Sequence, residues 1–188
     1  MCKKQTITTR RLAFAALMAA LTCAGSAIRI TMPIQIADTT SIHLGNIMCA
    51  LSGILLGPWL GGLAAGLGSA IYDMFNPLYI AEAWMTFLMK GAYGLIPGLV
   101  MLLWKKDWKV WQAAVASFGG ALAYAIMYLL KTYWKSVLVK GYLHEAAMLG
   151  VIAKIPSTVF NGAVAVIFAP ILAISIRKAL ERNHLTLK

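Results

Sequence analysis

Two lysines, Lys90 and Lys154, lie inside long apolar stretches of this 188-residue chain. Even on the lenient insertion scale a lysine near a bilayer centre costs about 2.5–3.5 kcal/mol, so its presence there asks for a use. Helical spacing gives each lysine polar company. Thr86, Lys90 and Tyr93 share one face, Lys154, Thr158 and Asn161 a second, and Tyr124, Tyr128 and Lys131 a third. Lys90 precedes Trp104 by 14 residues, about 21 Å of helix, and Lys154 precedes Arg177 by 23, about 35 Å. Both therefore fall at the same side of a membrane, at the depth where His43, Asn46 and Asp73 are also expected. The chemistry open to such a set is recognition. Ammonium, amide, carboxylate and imidazole groups hold polar atoms, and Trp84, Tyr93, Tyr124 and Tyr128 offer surface on which a flat ring stacks. Each residue alone has a plainer explanation, since lysines snorkel to headgroups and aromatics gather in interfacial belts. The convergence of several faces at one depth is what points to a cavity.

Bond-making chemistry has no such support. The chain contains no G-x-x-x-x-G-K-[ST] segment for ATP phosphates and no G-x-S-x-G elbow. His43, His144 and His184 lie in separate segments without an H-E-x-x-H pattern. Cys2, Cys23 and Cys49 show no disulfide or zinc spacing, and two of them lie in apolar runs where a thiol behaves as a small hydrophobe. The expectation is a protein that is not an enzyme and carries no metal or cofactor of its own.

The elements that must position these residues follow from hydropathy. The chain is 61% hydrophobic and only 12% charged, whereas soluble domains run at about a quarter charged. A bilayer core of ~30 Å takes about 20 apolar residues per helix, so the length supplies about five or six spans and no second, soluble domain. Apolar runs place spans at 12–28, 43–56, 59–75, 84–104, 110–130 and 146–176. The second and third are separated only by Gly57-Pro58, where proline's missing amide and its restriction on the preceding residue stop a helix. A polar loop over 31–43 carries Pro33, Gln35 and Asp38, and another covers 76–83. Lys131 to Glu145 reads as a basic, aromatic connection with room for some helix, and Pro156 and Pro170 as possible kinks in the last span. The expected fold is an all-α integral membrane bundle of six transmembrane helices, a single domain over 1–188.

The formal charge of +11 would suggest nucleic acid in a soluble protein. Here the basic residues stand at the ends of apolar runs and form no stripe, so membrane orientation explains them better and no nucleic-acid partner is expected. Most of the 17 Lys and Arg fall on one side: Lys3, Lys4, Arg10, Arg11, Lys105, Lys106, Lys109, Arg177, Lys178, Arg182 and Lys188. Arg29, Lys90, Lys131, Lys135, Lys140 and Lys154 fall on the other. The positive-inside rule then puts both termini in the cytoplasm. The basic N-terminus, its apolar run and Ala24-Gly25-Ser26-Ala27 also imitate a cleaved secretory signal. Because the chain beyond residue 28 is itself multi-spanning, the run is read as an uncleaved first helix.

Small residues recur one turn apart in the first span, at Ala16, Ala20 and Ala24 and again at Ala15 and Ala19. They allow close helix approach, either within the bundle or as a docking face for a partner subunit. Gly62, Gly66 and Ala70, with Gly61, Ala65 and Gly68 beside them, suit tight packing inside the bundle.

In order, the basic N-terminus, the Ala16-x-x-x-Ala20 span, the polar loop, Ile42-His43-Leu44-Gly45-Asn46 and Leu55-Leu56-Gly57-Pro58 resemble the S components of energy-coupling-factor (ECF) transporters. The likeness continues through Gly61 to Ala70, Asp73, Lys90-Gly91 and Gly94, and is most specific from Leu44 to Asp73. The resemblance implies a high-affinity, substrate-binding subunit in the plasma membrane that serves an ATP-driven importer. Its partners would be a membrane coupling (T) subunit and two cytoplasmic ATPase subunits, which alone bind ATP. Docking would fall on Ala16 and Ala20. The ligand would lie under the loop over 30–43 and among the outer ends of helices four to six, with His43, Asn46, Asp73, Trp84, Lys90, Tyr93, Tyr128, Lys154 and Asn161 as its site. Import in such proteins proceeds by toppling of the whole S component. Fold does not fix ligand, but the pattern is nearest to members for riboflavin or for small pyridine and pyrimidine vitamins such as pyridoxine or hydroxymethylpyrimidine. A self-sufficient small secondary transporter or channel is the competing expectation. It is weakened because the sixth span shows no weak copy of the third. A membrane enzyme without a recognised motif is a third.

Overall fold

The computed structural model describes residues 8–31, 41–104 and 108–183, and its framework is helical. Helix α1 runs over Thr9–Ala27, α2 over Gly45–Leu56, α3 over Pro58–Met74, α4 over Ala83–Met101, α5 over Val110–Trp134 and α6 over His144–Arg182. A single 3-10 turn, Ile80–Glu82, leads into α4. Local chemistry accounts for most boundaries. Thr8 Oγ1 accepts from the Arg11 amide at the start of α1. Gly57, at φ 82°, ends α2, and Pro58 opens α3 with a φ already set for a helix. At the start of α5 the Gln112 side chain accepts from the Lys109 amide at 2.7 Å.

One feature departs from the sequence expectations. The polar loop after α1 begins and ends in two short antiparallel strands, β1 (Arg29–Thr31) and β2 (Ser41–His43), with Arg29 opposite His43. The rest of that loop, with Pro33, Gln35 and Asp38, lies outside the described residues. The connection after residue 130 is partly helical, as expected: α5 runs on through it and ends in a π-helical turn over Lys135–Val139. Pro156 and Pro170 both lie within an unbroken α6, as Pro97 does within α4.

The exterior is apolar. Leu63, Leu67 and Ile71 on α3, and Phe118, Leu122 and Ile126 on α5, are all exposed. In water so continuous a surface would aggregate; in lipid it is the solvent-facing side. Val110–Val139 and His144–Arg182 are each long and apolar enough to cross a membrane. Helix α2 is apolar but has only 12 residues, about 18 Å against a ~30 Å hydrocarbon core.

Packing rests on small residues, as lipid offers no hydrophobic drive between helices. A Cβ on Gly53 of α2 would lie 2.0 Å from the Gly94 carbonyl oxygen of α4, so the two backbones touch. Cys49, Ala50, Ala65, Ala113, Ala116, Ala165 and Ala169 fill the core between them. The α1 alanines divide: Ala15 is buried, whereas Ala16 and Ala20 are exposed. Arg11, itself buried, donates from its guanidinium to the Leu56 carbonyl at 2.8 Å, satisfying the C-terminus of α2 and favouring its dipole.

Candidate functional site

At the end of the bundle opposite the start of α1 and the end of α6, a cavity encloses about 1050 Å³ of atom-free space, its mouth included. All six helices reach it. Ser26 comes from α1, Arg29 from β1, His43 from β2, Asn46 from α2, Ser69 and Asp73 from α3, Thr86 and Lys90 from α4. Tyr124, Tyr128, Lys131 and Thr132 come from α5, and Lys154, Ser157, Thr158 and Asn161 from α6. Glu82 and Lys135 stand with them.

The floor is polar but organised. Lys90 and Asn46, both buried, meet through an Nζ to Oδ1 hydrogen bond. The Asn161 carboxamide oxygen accepts from the His43 amide at 3.0 Å, which pins β2 to α6. Thr158 and Ser157 spend their hydroxyls on the Lys154 carbonyl, at 2.7 and 3.1 Å, so the α6 backbone absorbs them. Lys131 and Lys135, one turn apart on α5, both pair with Glu82. Burial tends to raise the Glu82 carboxyl, but the two ammoniums outweigh it and hold it below the ordinary carboxylate range. Burial, then the Lys90 and Arg29 charges, holds the His43 imidazole well below its usual value, so it is neutral near pH 7. Its Nδ1 is buried and has no hydrogen-bond partner among the described residues.

One wall is aromatic. Tyr93 stacks on Tyr124 with centroids 5.3 Å apart, and Tyr124 on Tyr128 at 5.7 Å, their planes within 21° and 13° of parallel. The Lys90 ammonium lies 4.3 Å from the Tyr124 centroid and that of Lys154 5.2 Å from Tyr128. Such contacts are worth about 0.5–2 kcal/mol each and soften the cost of buried charge. Arg29 is held between the rings of Tyr72 and Tyr79, at 4.6 and 4.7 Å.

Of the residues expected from sequence, His43, Asn46, Asp73, Lys90, Tyr128, Lys154 and Asn161 line this cavity. Tyr93 is fully buried one layer behind, in contact with Tyr124. Trp84 does not line it and is 63% exposed, because six residues of helix turn it about 120° away from Lys90. Ser26, Arg29, Ser69, Tyr79, Glu82 and Lys135 line the cavity without having been singled out. Arg29 and Glu82 read as loop residues; the signal available was Lys131 and Lys135 on one face with a lone acid in the preceding polar loop.

A polar, cation-bearing cavity sunk in an apolar helical bundle marks a membrane protein that binds a small molecule. A family model described as "ECF-type riboflavin transporter, S component" matches residues 6–178. The chain belongs to that family, which is one of transporter components and not of enzymes. ECF S components in general work with T and ATPase modules. A Pyrococcus woesei protein described as "Uncharacterized protein in gap 3'region" is 37% identical over 79 residues, 42% of this chain and 50% of that protein. The chain thus matches about half the length of that relative.

Proposed function

We propose that this chain captures a vitamin-like flat heterocycle, of the riboflavin, pyridoxine or hydroxymethylpyrimidine kind, for an ATP-driven ECF importer. The observation that carries it is the cavity itself. Polar side chains from every helix converge beside a tyrosine stack at one end of the bundle, and a few placed polar groups against aromatic surface are what a small-molecule site needs. The working set is His43, Asn46, Asp73, Lys90, Tyr124, Tyr128, Lys154 and Asn161, with Tyr93 supporting the stack from behind.

The six-helix bundle sits in the plasma membrane with both termini cytoplasmic and α2 reaching only part of the way across, so the cavity opens outward. ATP is bound by two cytoplasmic ATPase partners and not by this chain. The exposed Ala16 and Ala20 form the contact for the membrane coupling subunit, because a smooth small-residue face admits a second helix at short range.

The test has two arms. Small molecules released from the purified protein are identified by mass spectrometry, with a heterocyclic vitamin expected. The protein is then reconstituted in liposomes without partners. Substrate accumulation by the chain alone would overturn the proposal in favour of a self-sufficient carrier.

A further inference from the structure

The ribbon of β1 and β2 has three residues in each strand, too few to hold its own shape, since an isolated two-stranded hairpin is marginal in water. Its position must come from outside the ladder. The Leu44 amide donates to the Ile28 carbonyl at 3.4 Å, so the next rung, Arg29 opposite His43, is a non-hydrogen-bonded pair whose side chains share one face. Both residues line the cavity. That rung is pinned at its two ends. At one end the His43 amide, turned out of the ladder, donates to the Asn161 carboxamide of α6 at 3.0 Å. At the other the Arg29 guanidinium lies against the rings of both Tyr72 and Tyr79, 4.6 and 4.7 Å from their centroids, and its Nε donates to the Ser26 carbonyl at 3.2 Å. Tyr79 lines the cavity and Tyr72 does not. Lysine in place of Arg29 would keep the charge and lose the plane that stacks.

We infer that Arg29 is a positioning residue of the binding site: held by Tyr72 and Tyr79, it seats the rung that presents His43 to the cavity and orients Asn161. It acts through its stacked plane and not through its charge. This rests on the heterocycle-binding function proposed above and adds to it a residue outside the working set, with one of its supports, Tyr72, outside the cavity altogether.

Hydrogen–deuterium exchange on the protein in phosphatidylcholine nanodiscs follows the amides of β1 and β2, with those of α2 as the internal control. Arg29→Lys and Tyr72→Leu are each expected to speed ribbon exchange about tenfold, the scale of a lost cation–ring contact, and to leave α2 unchanged. Tyr72→Phe keeps the ring but not the hydroxyl that accepts from Asn76, and is expected to match wild type. The same samples are incubated with an equimolar mixture of riboflavin, pyridoxine and hydroxymethylpyrimidine, and retained compounds are quantified by mass spectrometry. Whatever wild type retains should fall about fivefold or more in Arg29→Lys and Tyr72→Leu but not in Tyr72→Phe. Ribbon exchange at the wild-type rate in both Arg29→Lys and Tyr72→Leu overturns the inference, as does Tyr72→Phe behaving like Tyr72→Leu. Faster ribbon exchange with undiminished retention also overturns it and leaves the function proposed above standing. Exchange that quickens in α2 as well would make the clamp a brace for the whole bundle, which again overturns the positioning role. Retention of nothing by wild type overturns the proposed function and the inference together.

Discussion

Lys90 and Asn46 form a pair whose members cannot be removed singly without cost. Losing the acceptor leaves a buried ammonium short of a hydrogen bond, a penalty of about 1.5–3 kcal/mol. Asn46→Leu should therefore lower the melting temperature in detergent by several degrees, and adding Lys90→Met should restore much of it, which a double-mutant thermal series would show. Lys90→Ala and Asn161→Ala are each expected to weaken ligand binding about tenfold or more in calorimetric titration while leaving the chain folded; unchanged affinity in both would empty the pocket of its assigned role. His43 adds a pH dependence. Its folded value lies well below that of the unfolded chain, about 6.5, so below that pH the unfolded state takes up a proton that the folded state refuses. Stability is thus full above about pH 6.5 and declines as pH falls, and melting curves of wild type against His43→Asn should show a smaller acid loss in the variant.

Elements were legible wherever their cause was local. Gly57-Pro58 marked the break between α2 and α3 because one residue's φ and the next one's ring decide it. Some helix beyond residue 130 was legible but its end point was not, since the extra turns carry Lys131 and Lys135 to Glu82, a partner about fifty residues away in sequence. For the same reason half the lining of the cavity was readable from helical faces, while Arg29 and Glu82, brought in by the strand and the 3-10 turn, were not. Trp84 erred in the opposite sense: aromatic character suggested a site, and helical rotation put it outside. The packing offers its own contrast. Gly53→Ala forces a methyl onto the Gly94 carbonyl and should cost at least about 1–3 kcal/mol. Gly119→Ala meets nothing closer than 3.6 Å and should be neutral or stabilising by up to about 1 kcal/mol, since it removes backbone freedom from the unfolded chain. Thermal melts of the two variants decide whether close backbone contact is what the glycines provide.

At the scale of the whole molecule the two ends differ in kind. One end gathers the cavity and the cations that line it, and the other gathers Arg11, Trp108 and Arg177, the last stacked on Trp108 at 4.7 Å. Along the side, Ala16 and Ala20 stay exposed. Ala16→Trp or Ala20→Trp should abolish co-purification with a coupling subunit while sparing ligand binding; retained assembly would return these alanines to lipid contact alone.

Helix α2 is fastened at both tips, by Arg11 on its last carbonyl and by Lys90 on Asn46, and nearly every residue between is buried. Local opening is rarest where a segment has most to expose. Its amides should therefore be the slowest in the protein to trade hydrogen for deuterium, slower than those of the longer helices around it. The shortest helix, too short to bridge a bilayer, would then be the last part of the molecule to come apart.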